Sequence, residues 1–143
     1  MIQKLSAHFN LSDFLLPLTR FNRTIHIQPC QRAIQNMKAL AVKVLEPLAV
    51  ETGMEIQISK GFVNEVLNKR LGGEEKNHHQ CFEGYAAADI YVEGIRPQML
   101  ADVIIGLRLD YHQIIDCGDV LHVSHFRMKQ ERLKLYKGKL CLD

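Results

Sequence analysis

Two strand-like runs that meet at Gly118-Asp119 constrain this chain most. Residues 111–116 and 120–125 each read as a strand, and the turn between them is short enough for a hairpin. The second run, with its turn, is Gly118-Asp119-Val120-Leu121-His122-Val123-Ser124-His125, and a related apolar run upstream is Ala87-Ala88-Asp89-Ile90. Ionisable side chains are costly in such strands unless they are paired or bind a metal. The pattern therefore marks Asp89 and His122 as candidate metal ligands and Asp119 as a candidate base beside the metal. The ordinary alternatives are a turn aspartate at Asp119 and a hydrogen-bonded core histidine at His122. Side chains alternate along a strand, so His122 and Ser124 share a face that His125 does not, and His125 stays outside the ligand set.

The rest of the chain supplies helices to cover such a sheet. After Pro29, Ile34, Met37, Leu40 or Ala41, Val44 and Leu48 recur at helical spacing, with Pro47 expected to kink or break the helix and Gly53 to end it. A short helix capped by Ser12 and stopped by Pro17 is expected near the N-terminus, followed by loop or extended chain over residues 18–28. Residues 55–59 alternate like a strand. A second short helix is expected from Asn64 to Gly72-Gly73, then polar loop over residues 74–84, and a strand from residue 85 to 92. Pro97 should start a helix whose apolar face is Leu100, Val103, Ile104 and Leu107. Helices first and strands clustered later indicate an α+β domain with a mostly antiparallel sheet.

At 143 residues and 47% hydrophobic content the chain is read as one globular domain, residues 1–143. A net charge of +2 is too small to imply nucleic acid. Six of its 18 basic residues fall in a C-terminal segment, residues 127–143, read as a solvated strand or helix, with a patch for an anionic partner as the alternative. No apolar run is long enough to span a bilayer and no secretory signal is seen. Cys30, Cys81, Cys117 and Cys141 form no CxxC pair, so free thiols are expected, which fits a cytoplasmic protein or one encoded by a phage or mobile element.

Leu5-Ser6-Ala7-His8-Phe9-Asn10-Leu11-Ser12-Asp13-Phe14, Val44-Leu45-Glu46-Pro47-Leu48, Leu67-Asn68, Gly72-Gly73, Ala87-Ala88-Asp89-Ile90 and Leu121-His122-Val123-Ser124 follow in an order and spacing that resemble a known family. It comprises the zinc peptidases of bacterial cell-wall peptides: D-Ala-D-Ala carboxypeptidases and dipeptidases, and phage L-Ala-D-Glu endolysins. The resemblance covers most of the chain. It implies the Hedgehog/D-Ala-D-Ala peptidase-like fold, a catalytic Zn2+ held by His, Asp and His, and a peptidoglycan or other small peptide as substrate. By their contexts Asp89 and His122 match two ligands, and Asp119 matches the base of the family's D-x-x-H variant. Three extended residues span roughly 10 Å, so Asp119 reaches the metal only from a bent turn, which Gly118 permits.

Two departures stand out. The family's first His falls at Phe82, which cannot bind zinc. His79, three residues further upstream, is the candidate in a lengthened loop, with His78 and Cys81 as alternatives and a broken site as the opposing reading. The family's substrate-binding Arg falls at Val63 in Ser59-Lys60-Gly61-Phe62-Val63-Asn64, leaving Lys60 as the candidate substitute or as a plain exposed lysine. The expected function is therefore zinc-dependent hydrolysis of cell-wall peptides. The alternative is a catalytically inactive peptidase-like domain that binds cell-wall peptide or a protein partner, and a third is an inactive protein whose metal site Cys81 closes.

Overall fold

The computed structural model describes residues 3–15, 28–72, 78–81, 83–127, 133–136 and 139–142, with backbone alone for residues 66, 67, 133–136 and 139–142. The expected stop at Pro17, nearly all of the loop over residues 18–28, Gly73, residues 74–77 and much of the basic tail lie outside these residues.

The fold is α+β. The first helix, α1 (Leu11–Phe14), is capped by Asn10, not by Ser12. The Asn10 N–H donates to Asp13 Oδ2 at 2.8 Å, because a cap needs its acid three residues on and Asp13 stands there. A long helical stretch follows as α2 (Gln31–Leu40), a π-helical turn over Ala41–Leu45, and α3 (Glu46–Thr52). Pro47 does not break it. The wider turn places the Glu46 N–H on the Ala41 carbonyl, five residues back, just where proline removes the next donor. Gly53, at φ +64°, ends the stretch. The apolar row reads as expected: Ile34, Met37, Leu40, Ala41, Val44 and Leu48 are all buried. Each of its larger side chains contributes on the order of 1.5–3 kcal/mol by leaving water.

The remaining elements are β1 (Gln57–Lys60), α4 (Glu65–Arg70), a 3₁₀ turn over His78–Gln80, β2 (Tyr85–Tyr91), α5 (Pro97–Gly106), β3 (Gln113–Asp116), β4 (Leu121–Phe126), β5 (Leu133–Tyr136) and β6 (Lys139–Leu142). On α5, Leu100 and Ile104 are buried as expected, while Leu107, beyond the last helical residue, is 37% exposed. The strands form one sheet in the order β1-β2-β4-β3-β5-β6, antiparallel at every junction except β3 with β5. The basic tail thus extends the sheet by two strands. Among the described residues no helix is long and apolar enough to cross a membrane. Cys30, Cys81 and Cys117 are free thiols.

The two sheet faces differ. Ala86, Ala88 and Ile90 of β2, Leu121 and Val123 of β4 and Ile114 of β3 join the hydrophobic cluster with α2, α3 and α5. The alternate residues, Tyr85, Ala87, Asp89 and Tyr91 on β2 and His122, Ser124 and Phe126 on β4, point to the opposite face. His125 is on the core side, where its Nδ1–H donates to the Asp110 carbonyl at 2.6 Å. Its exclusion from the ligand set by strand parity therefore holds.

Candidate metal centre

Asp89 and His122 are direct cross-strand partners in β2 and β4, so their side chains leave the same face side by side. His122 Nδ1 lies 2.9 Å from Asp89 Oδ1. The third member comes from the 3₁₀ turn: His79 Nε2 lies 3.1 Å from Asp89 Oδ1 and 3.2 Å from His122 Nδ1. Among the described residues these three form the group of possible metal-binding side chains, and His79, Asp89 and His122 were the ligands expected from sequence.

Two backbone contacts aim His79. Its Nδ1–H donates to the Gly61 carbonyl at 2.6 Å, and the Val63 N–H donates to the His79 carbonyl at 2.9 Å. A carbonyl can only accept, so the proton of a neutral His79 sits on Nδ1 and the Nε2 lone pair faces Asp89 and His122. This is the usual support of a metal-bound histidine. On the core side, Asn36 Nδ2–H of α2 donates to the Cys81 carbonyl at 2.9 Å, holding the far end of the same turn.

Gly61 also makes a close approach. The Phe62 N–H donates to the Phe14 carbonyl at 2.7 Å, and a Cβ on Gly61 would stand 2.5 Å from the Phe14 Cα and carbonyl oxygen. Only glycine lets the segment that grips His79 lie against α1.

The electrostatics suit a cation. Burial pushes the Asp89 carboxyl up, but the hydrogen bond from His122, and that from His79 when its Nε2 carries a proton, outweigh it and hold Asp89 well below the usual carboxylate range. Burial lowers the His79 pKa more than Asp89 raises it, favouring the neutral imidazole. A metal that displaced the protons shared among Asp89, His79 and His122 would meet three lone-pair atoms and one negative charge at a single point. Separations of 2.9, 3.1 and 3.2 Å approach the edge of a tetrahedral site with bonds of about 2.0–2.1 Å, which is roughly 3.3 Å. A divalent metal fits with adjustments of a few tenths of an ångström. The side chains of Asp89 and His122 are 19% and 15% exposed against 3% for His79, so the centre is closed behind His79 and open in front.

The other sequence candidates lie outside this group. Cys81 is buried with its thiol near the His79 carbonyl and lies outside the converging group, and burial pushes its pKa up to about 12. His78 turns the other way and stacks on Tyr85. Lys60 is the register partner of Asp89 across a bulge in β1, which brings it beside the centre. Asp119 sits exposed in the β3–β4 turn, where Gly118 adopts φ +96° and supplies the expected bend. Asp119 lines a cavity of about 320 Å³ with Tyr91, Glu93 and Arg96. The larger groove, about 1020 Å³ between residues 8–15, the end of α3 and β1, contains none of the three ligands. Sequence reasoning missed the Gly61 carbonyl, the Val63 N–H and Asn36. The first two are main-chain groups and carry no side-chain signature.

No family model, curated protein or solved structure matches this chain.

Proposed function

We propose that the chain is a zinc-dependent peptidase of the D-Ala-D-Ala carboxypeptidase-like fold, acting on cell-wall or related small peptides. The observation that carries this reading is the convergence of His79 Nε2, Asp89 Oδ1 and His122 Nδ1 within 3.2 Å of one another, open to solvent on one side. Two imidazoles and one carboxylate with an open position form the ligand pattern of hydrolytic zinc sites. Zinc held there would polarise a scissile carbonyl and lower the pKa of a water toward about 7. Asp119, in the turn that leads into the strand carrying His122, is assigned to take the proton and return it to the leaving amine. Lys60, in register with Asp89, is assigned to the substrate carbonyl or carboxylate as a point charge.

A second reading, a peptidase-like domain that binds peptide or a protein partner without turnover, is favoured by two observations. Val63, where the resembling enzymes carry Arg, is fully buried, and Asp119 lies outside the converging group. A missing oxyanion donor costs about 2.7–4 kcal/mol of barrier.

The test is amine release from stem peptides ending in D-Ala-D-Ala or containing L-Ala-D-Glu, using zinc-loaded protein. Turnover abolished by Asp119→Asn supports the peptidase. Stoichiometric zinc without amine release from either peptide supports the second reading. A protein that retains no metal contradicts the peptidase, and turnover abolished by Asp119→Asn contradicts the second reading.

A further inference from the structure

His78 and His79 are consecutive residues of one short 3₁₀ turn, yet they engage the sheet at two separate points. His79 meets Asp89, while the His78 ring stacks on Tyr85 with centroids 4.1 Å apart and planes 8° from parallel. Tyr85 in turn stacks on its cross-strand partner Phe126 at 4.2 Å and 12°. The His112 ring leans against all three, at 5.4, 5.3 and 5.9 Å from His78, Tyr85 and Phe126. Tyr85 and Asp89 are four residues apart on one face of β2, a span of about 13 Å. Between them that face carries Ala87 and Ser124, both fully buried.

A 3₁₀ turn has three residues per turn, so neighbouring side chains diverge by about 120°, and three residues are too few to hold their own orientation. Fixing the direction of His78 therefore fixes the rotation of the turn, and with it the direction of His79. We infer that the His78–Tyr85–Phe126 ring stack is a latch that aims His79 at the metal position, and that His78 is a positioning residue of the centre and not a ligand. This rests on the metal-site reading above. It also accounts for how a loop with about three extra residues still delivers an imidazole to Asp89 and His122.

The experiment compares zinc affinity, by competition with a chromophoric chelator, in the full chain and its His78→Ala and His78→Phe variants. Phenylalanine keeps the stack and removes the ring nitrogens. The latch predicts a loss of about 10–100-fold for His78→Ala, the range for removing a group that orients a ligand, and near-native affinity for His78→Phe. Equal losses in both variants would show that a His78 nitrogen is required, and no loss in either would show that the stack aims nothing. Each of these results overturns the inference.

Amide exchange in the metal-free protein separates this inference from the peptidase proposal. The Val63 N–H, bonded to the His79 carbonyl at 2.9 Å, reports whether the turn is in place. The latch predicts faster exchange in His78→Ala alone, even if the native chain binds no zinc. Unchanged exchange in His78→Ala overturns it.

Discussion

Asp89 and His122 face each other directly across β2 and β4, with His122 Nδ1 2.9 Å from Asp89 Oδ1. Strand pairing therefore builds two thirds of the candidate metal centre, and only the third side chain, His79, depends on a loop. Two ligands on adjacent strands are held by the ladder itself, whereas His79 needs contacts from three other segments.

Gly61→Ala should release that third ligand. A methyl group at this position meets the backbone of Phe14 at 2.5 Å, which cannot rotate away. The segment carrying the His79 acceptor must shift, costing about 1–3 kcal/mol of stability. Zinc affinity should fall by about 10–100-fold, as for loss of a ligand's hydrogen-bond partner. Chemical denaturation and zinc competition on the same variant check both, and an unchanged affinity would show that the Gly61 grip is dispensable.

Asp119→Asn should leave metal binding intact and remove turnover. Asp119 lies in the exposed turn outside the converging group, so zinc stoichiometry should not change. Loss of a general base lowers the rate by about 10²–10⁴-fold. Turnover of a D-amino-acid-containing peptide by the variant at the native rate would remove Asp119 from the mechanism.

Acid should destabilise the metal-free protein well above the usual carboxylate range. His78 is lowered from 6.5 to about 4 by burial and by neighbouring His112, His122 and His79. His79 and His125 are lowered too, by burial first. The unfolded chain then takes up protons that the folded chain refuses. Stability is fully present above about pH 7 and is lost as pH falls from about 6.5 toward about 4. Asp89, whose folded pKa is depressed, extends the loss below that window in the same direction. Urea midpoints measured from about pH 7.5 to about pH 4.5 should fall steadily, and His78→Phe should flatten the slope. A flat profile in the native protein would contradict the burial of these imidazoles.

Cys81→Ala should bind zinc as the native chain does. Burial holds the thiol at a pKa of about 12, and it lies outside the three-ligand group. A large drop in affinity with an intact fold would reinstate a sulfur ligand.

Much of this architecture was legible in the amino-acid order. The row Ile34 to Leu48 names a core-facing helix and the alternation over residues 120–125 names a strand, while the pairing that sets Asp89 beside His122 is seen only in the fold. His79 was legible only as chemistry at an irregular distance, because a loop has no period to read. The π turn before Pro47 was not, since proline's missing donor can be met by a break or by a wider turn and packing decides which. The parallel pairing of β3 with β5 brings together strands that are not neighbours in sequence, and neither strand's residues carry a signal for that register. The grip on His79 comes from a carbonyl and an N–H, groups every residue possesses, so only the fold reveals which ones serve. Val63 is instructive: its side chain offers no chemistry to the site, yet its N–H supports the His79 carbonyl.

The central claim is the metal centre, and metal content tests it most directly. Purified protein is loaded with zinc at neutral pH, freed of excess metal, and measured by elemental analysis beside Asp89→Ala and His122→Ala. The account predicts one zinc per native chain and loss of bound zinc in both variants, each of which leaves an incomplete ligand set. A native protein that retains no stoichiometric zinc, or variants that retain it fully, would contradict it.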